Sequence, residues 1–237
     1  MATSYTYKPI VSDSLIFHLD AANLKSYNGV SNTWSDLRGS SYNGVIVNST
    51  TFSSVKGGVF SFDGVDDYMS MSAFQLNDGI AKTFNFWIRP TATSGSSFIF
   101  SDMGYIGDRG WGIGINLTTR QFYFGGSNNG SDVNKIYRNT TNASLTHSVW
   151  TNISIVYNPS STTASLYKDG VLLNHDSGTI YSTYNNSGQP TMIGAYGASP
   201  APNGDFTGQI SIVSVYDRDL TSDEILQNYN ALKNRFI

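Results

Sequence analysis

The chain has 237 residues, of which 14% are aromatic and only 13% charged, with a formal net charge of −3 and no cysteine. Its length suits one large β-sandwich or barrel, its neutral polar surface residues argue against a helical bundle, and the lack of any Lys/Arg run excludes the electrostatic footprint of a nucleic-acid binder. Disulfides, thiolate metal sites and cysteine nucleophiles are excluded outright.

The opening stretch, MATSYTYKPIVSDSL, has neither a basic nor a continuous apolar region of a secretory signal, and nothing later approaches the length of a membrane span. The expectation is a protein made in soluble form, without membrane insertion. Residues 1–13, with Tyr5, Tyr7 and Pro9, read either as an outer strand or as an arm that docks on a neighbour; residues 14–237 form one domain.

From there the chain proceeds in short runs with apolar residues at every second position, the period that buries one face of a strand. The runs are Leu15–Leu19, Val45–Val47, Val59–Phe62, Tyr68–Met71, Phe84–Ile88, Phe98–Phe100, Ile113–Leu117, Phe122–Phe124, Ile153–Tyr157, Ala164–Tyr167, Val171–Leu173, Thr191–Ile193 and Ile210–Tyr216. Turn residues separate nearly all of them. The pattern predicts an all-β fold, a two-sheet antiparallel sandwich.

Asp169-Gly170, between two apolar runs, predicts a hairpin with a type I′ turn. Asn43-Gly44, Asn129-Gly130 and Asn203-Gly204 are weaker turn signals. The polar stretch from Gly125 to Ser148 reads as extended loops at one edge. One helix is predicted, in LTSDEILQNYNALKNRF: Thr221 and Glu224 make a capping box, Leu220 and Ile225 a hydrophobic staple, and Ile225, Leu226, Tyr229 and Leu232 an inward face.

FSFDGVDDYMSM places Asp63, Asp66 and Asp67 within five residues. Two alternating runs flank them, so Asp and Gly here read as a tight hairpin connection; a calcium role stays open because hard cations favour clustered oxygens. Acid/base chemistry on sugars needs two carboxylates across a cleft. Glu224 is the only glutamate, and the capping box employs it. His18, His147 and His175 are scattered without partners at metal-ligand spacing.

Aromatic residues are the better lead. Trp87, Tyr105, Trp111, Tyr123 and Tyr137 include rings able to stack on sugar faces, although Trp87 and Trp150 lie in strand-like runs suited to a core. Asp108, Arg109 and Trp111, ahead of a strand, are the preferred recognition surface, joined by Tyr105, Tyr123, Asn128 and Asn129 as candidate ligand-binding residues.

In order along the chain, LIFHLDAANLKSY, NTWSDLRGSSYNG, GGVFSFDGVDDYMSM, FNFWIRP, VWTNISIVYN, ASLYKDGVLL, TMIGAYG and FTGQISIVSVYDRDLTSDEILQNYNAL resemble the laminin-G-like branch of the concanavalin A-like lectin/glucanase superfamily. The resemblance implies a jelly-roll sandwich whose concave face and rim loops bind glycans or proteins. It also implies that Asp20 and Asn43 correspond to calcium ligands of some members, although Ser211 and Ile212 stand where acids are usual on the last strand. The E-x-D-x-x-E strand of glycosidase cousins is absent.

LDAANLKSY, NTWSDLRGSSYNG and EILQNYNALKNRF further resemble domains of tailed-bacteriophage structural proteins. That resemblance implies a non-enzymatic virion protein, a capsid decoration, fibre or tail adhesin, with capsid or tail proteins as partners, a cell-surface glycan as a further one, and homo-oligomerisation. A free-standing lectin is the alternative, and a glycoside hydrolase the remote one.

Overall fold

The computed structural model describes residues 8–39, 41–48, 50–104, 107–131, 133, 135–176, 180–197 and 203–237. Residues 1–7 of the expected arm, and Tyr105, lie outside the described residues.

Two antiparallel sheets face each other across one core. The first contains β1 (Leu15–Asp20), β4 (Thr51–Ser53), β5 (Val59–Asp63), β7 (Lys82–Pro90), β12 (Thr151–Asn158), β13 (Thr163–Lys168), β14 (Val171–Leu172) and β16 (Thr207–Tyr216), in the order β14-β13-β12-β7-β16-β5-β4, with β1 also on β16. The second contains β2 (Thr33–Trp34), β3 (Gly44–Val47), β6 (Tyr68–Met71), β8 (Ser96–Asp102), β9 (Arg109–Asn116), β10 (Gln121–Gly130), β11 (Lys135–Asn139) and β15 (Thr191–Ile193), in the order β11-β10-β9-β8-β15-β6-β3-β2. Inward residues follow the period of two: Phe84, Phe86 and Ile88 on β7 meet Trp111, Ile113 and Ile115 on β9, all fully buried. The fold is the expected concanavalin A-like jelly roll with one C-terminal helix.

Three details depart from expectation. Val59–Asp63 and Tyr68–Met71 do not pair with each other: β5 belongs to the first sheet and β6 to the second. FDGVDD is therefore a corner between sheets, not a hairpin. The corner is stabilised locally, since Asp67 Oδ2 accepts from the Asp63 N–H (3.0 Å) and Asp63 Oδ1 from the Val65 N–H (2.8 Å). The stretch from Gly125 to Ser148 is also more ordered than its polarity suggested, because β10 continues to Gly130 and β11 pairs with it from Tyr123↔Asn139 to Ser127↔Lys135. Glycine on β10 lets backbone approach closely, as at Gly126 against Gly110 and Gly130 against Gly107, and this hides the alternation.

The third concerns the ends of the chain. Helix α1 (Ser222–Phe236) has the expected capping box, and Arg218 grips Glu224 through two bonds of 2.6 and 2.8 Å. These hydrogen bonds hold the Glu224 carboxyl down at about 2. The inward face is Ile225, Asn228 and Phe236, whereas Leu226 is 41% exposed. Asn228 binds both ends of the domain together: its Oδ1 accepts from the Val11 N–H (2.8 Å), and its Nδ2 donates to Tyr216 Oη (3.0 Å). Pro9 and Val11 thus dock on the chain's own helix, with the Pro9 carbonyl accepting from Gln227. The Asp169-Gly170 hairpin is present, both residues having positive φ, 50° and 81°, as a type I′ turn requires.

Candidate functional site

The outward side of the second sheet is where side chains and an opening meet. On β9 the sequence R-G-W-G-I-G-I-N alternates large inward residues with glycine, so Gly110, Gly112 and Gly114 leave the outward surface bare. Rings from neighbouring strands fill that space. A Cβ on Gly112 would lie 2.5 Å from the Phe98 ring, and one on Gly114 would lie 2.4 Å from the Tyr123 ring. Both glycines therefore permit close approach of an aromatic side chain to backbone.

Phe98 from β8 and Tyr123 from β10 meet edge to face at 5.8 Å; Tyr137 from β11 stands 5.2 Å from Tyr123, and Tyr196, after β15, stands 4.9 Å from Phe98. Together with Met103, Arg109 and Asn139 they line a cavity of about 230 Å³. The Arg109 guanidinium lies 5.1 Å from the centre of the Tyr196 ring and donates to the Gly104 carbonyl (3.0 Å). Burial pushes the Tyr123 phenol well up, reinforced by Tyr137 and Tyr196, so it is a neutral donor across the physiological range.

Of the residues singled out from sequence, Arg109, Tyr123 and Tyr137 line this cavity. Asp108, Asn128 and Asn129 are exposed on the adjoining rim, where β9 and β10 still pair at Arg109↔Gly130. Trp111 requires correction. It is fully buried, its Nε1–H donates to the Phe74 carbonyl (3.0 Å), and it packs among Phe74, Phe84 and Phe100. The glycines on either side mark it as the inward residue of β9, a signal already present in the sequence. Trp87 is buried too, on the outward side of the first sheet under Phe236, with ring centres 4.2 Å apart. Phe98, Met103, Asn139 and Tyr196 were missed, since only strand order brings them to Tyr123.

Beneath the rim sits Asp102, fully buried at the end of β8. Its carboxyl accepts from Ser187 Oγ (2.7 Å) and Gln75 Nε2 (3.1 Å), joining two loops to the strand. Burial pushes its pKa up to about 6, against the opposing effect of those hydrogen bonds.

The residues assigned to calcium by resemblance are engaged elsewhere. Asn43 Oδ1 accepts from the Asp36 N–H (2.8 Å). Asp20 Oδ1 accepts from Arg235 Nη1 (2.6 Å) and from the Ala22 N–H (2.9 Å). Arg235, from the end of α1, also donates to Ser211 Oγ (2.5 Å), Gly58 O (2.8 Å) and Lys56 O (2.5 Å). An arginine head group thus gathers oxygens of the first strand, the loop at Lys56–Gly58 and the last strand, and occupies the Asp20 carboxylate that the resemblance assigned to calcium. Separately, ligand atoms of Asp63, Asp66 and Asp67 lie within 4.8 Å of one another, and two of these carboxylates accept from backbone N–H groups of the corner. Burial, then the charges of those three residues, raise the Asp205 carboxyl beside them.

With fold and pocket in view, the comparisons place the chain. Residues 63–226 match the Laminin_G_3 model of the concanavalin A-like lectin/glucanases superfamily, and the chain belongs to that family. Among curated proteins none matches the sequence. A sialidase of Trypanosoma rangeli superposes with a TM-score of 0.67 at 14% identity, over 99% of this chain and 36% of that one. The binding domain of Paraclostridial Mosquitocidal Protein 1 superposes with a TM-score of 0.67 at 16% identity, over 93% and 53%. The binding domain of Botulinum neurotoxin DC, in complex with rat synaptotagmin II, gives 0.63 at 14% identity, over 92% and 52%. The chain spans about a third to a half of these proteins, and at such identities the likeness is one of fold.

Proposed function

We propose that this chain is a non-enzymatic binding module that holds a sugar ring in the aromatic pocket of its second sheet. The observation that carries the reading is the convergence of Phe98, Tyr123, Tyr137 and Tyr196, from four separate segments, on one cavity. At about 230 Å³ the cavity is smaller than the pockets of drug-sized ligands, which suits a single pyranose. Ring faces take the C–H surface of the sugar while phenol hydroxyls and Arg109 supply donors to its oxygens. The Botulinum neurotoxin DC binding domain, a fold relative, is known in complex with SialylT and with synaptotagmin II, which lends support to glycan and protein partners for this architecture.

The non-enzymatic part of the proposal is supported by the state of the carboxylates. Glu224, the sole glutamate, is committed to Arg218 and the helix cap. Asp102, the one carboxyl near the pocket with a strongly raised pKa, is sealed beneath Ser187 and Gln75. Asp108 on the rim is exposed to a ligand, but glycoside hydrolysis uses two carboxyl groups facing each other across the bond, and Asp102 is out of a ligand's reach.

The setting we propose is a virion, as a capsid decoration, fibre or tail adhesin, supported by the wording of LDAANLKSY, NTWSDLRGSSYNG and EILQNYNALKNRF. A glycan array with wild type and Tyr123→Ala tests the pocket: defined sugars are retained by the wild type and lost in the variant, and a blank wild-type array refutes sugar binding. Mass spectrometry of purified particles tests the setting. Stoichiometric recovery with a capsid or tail protein is expected, while recovery only as a free protein leaves the lectin alternative.

A further inference from the structure

A second cavity, of about 370 Å³, opens at the edge of the sandwich between the β13–β14 hairpin and the segment after β11. Its two walls, 140–144 and 172–174, come from different sheets and are tied by the Thr141 N–H, which donates to the Asn174 carbonyl (3.1 Å), and by the Thr140↔His175 bridge. The opening is thus a built seam between the sheets.

Lys168 is its chemical centre. It stands opposite Ile153 on β12, whose side chain is in the core, so the lysine points to the same side, into the mouth between the sheets. Among the described residues its ammonium has no hydrogen bond or ion pair; its charge acts on the adjacent Asp169 of the turn, and no acidic side chain lines the cavity. An inward lysine one strand in from a two-residue edge, as Lys168 is beside β14, helps to guard that edge against strand pairing. That role requires only the charge, whereas here Leu173, packed against the core, adds an apolar wall, and Asn142 and Asn174 add amides able to both donate and accept.

We propose that this edge cavity is a second saccharide site, one that takes a sugar bearing a carboxylate or a sulfate. Lys168 neutralises the anion, Leu173 covers the C–H face of the ring, and the amides bind its hydroxyls. The volume falls in the range of small-molecule pockets. The site shares no lining residue with the aromatic pocket, so it stands or falls independently.

The test is a titration of the full chain, followed by amide NMR shifts, with glucuronate, galactose 6-sulfate, uncharged galactose and inorganic sulfate. Shifts at 140–144 and 172–174 are expected with an anionic sugar, galactose binding about tenfold more weakly, as loss of a charge-assisted hydrogen bond implies. A response to only one of the two anionic sugars supports the site and names its anion. Lys168→Met should abolish the preference and Lys168→Arg retain it, while Tyr123→Ala leaves it intact. Wild-type affinity should also fall as salt rises, a reading that needs no variant. Shifts elsewhere but not in the cavity, equal binding of galactose, equal binding of inorganic sulfate, or an unaltered preference in Lys168→Met would each overturn the proposal.

Discussion

On β7 of the first sheet the outward residues are Thr83, Asn85 and Trp87, all buried, because α1 and the segment around Val11 lie over them. On β9 of the second sheet the outward residues are glycines, and what lies over them is a set of rings with a cavity between. The same period of two along the strand thus yields a sealed surface on one side of the sandwich and an accessible one on the other. The difference lies in what the rest of the chain supplies. A C-terminal helix is available for one face, while the other has only short loops at its rim. Stability is therefore concentrated on the closed face and binding on the open one.

The sharpest break of that contrast is Trp87→Ala. The indole stacks on Phe236 and lies near Tyr229, with Ile212 beside it, so removing it leaves a hole between sheet and helix. The expected cost is about 3–5 kcal/mol, on the order of 10 °C in melting temperature. At temperatures where the variant is folded, binding in the aromatic pocket should be unaltered. A melting temperature within a few degrees of wild type would mean that the helix does not seal this face.

Arg235→Ala attacks the same face at its polar end. It strands the Asp20 carboxylate together with Ser211 Oγ and the Gly58 and Lys56 carbonyls, and Asp20 is only 18% exposed. Breaking a largely buried pair of this kind should cost about 2 kcal/mol. Because the guanidinium already satisfies these oxygens, millimolar calcium should leave the wild-type melting temperature unchanged. A rise of several degrees with calcium would show that a metal is held elsewhere, with the aspartates of the corner as the first place to look.

Asp102→Asn probes the support of the open face. A carboxyl whose pKa is raised by folding stabilises the fold below the ordinary aspartate range, and that contribution is lost as pH rises through about 6. Wild-type stability should accordingly fall between pH 4 and 6 by about 2 kcal/mol from this group. The asparagine variant should lack that slope in denaturant titrations at a series of pH values. An identical slope in both proteins would mean that Asp102 titrates as an ordinary aspartate.

Much of this architecture was legible in the sequence, and the illegible parts share a cause. Capping box, type I′ turn and alternating runs are local, so Thr221, Asp169-Gly170 and Phe84–Ile88 announced themselves. FDGVDD announced a turn but not its destination, since the residues of a corner between sheets and of a hairpin are the same. Trp111 was placed at a binding surface because aromatic residues suit both cores and sugars; its glycine neighbours decide for the core. Phe98, Tyr137 and Tyr196 reach Tyr123 through the order β11-β10-β9-β8-β15, which no local pattern encodes. Arg235 reaches Asp20 across 215 positions of sequence.

The smallest change separates the two faces most finely. Gly114→Ala adds one methyl group at a position without positive φ, so the backbone itself accepts it; the atoms nearest the methyl all belong to the far end of the Tyr123 ring, a side chain on the outward surface with space beside it. Tyr123 must swing away from the strand and into the cavity it lines. Folding stability should change by less than about 1 kcal/mol, since the displaced ring is not part of the core. Sugar affinity should drop about tenfold, because a pocket narrowed by a phenol ring no longer fits a pyranose on its remaining walls. Titration calorimetry and thermal melting on the same sample distinguish the outcomes. A loss of stability comparable to that of Trp87→Ala would place Tyr123 in the structural framework, whereas unchanged affinity would remove the ring from the binding site altogether.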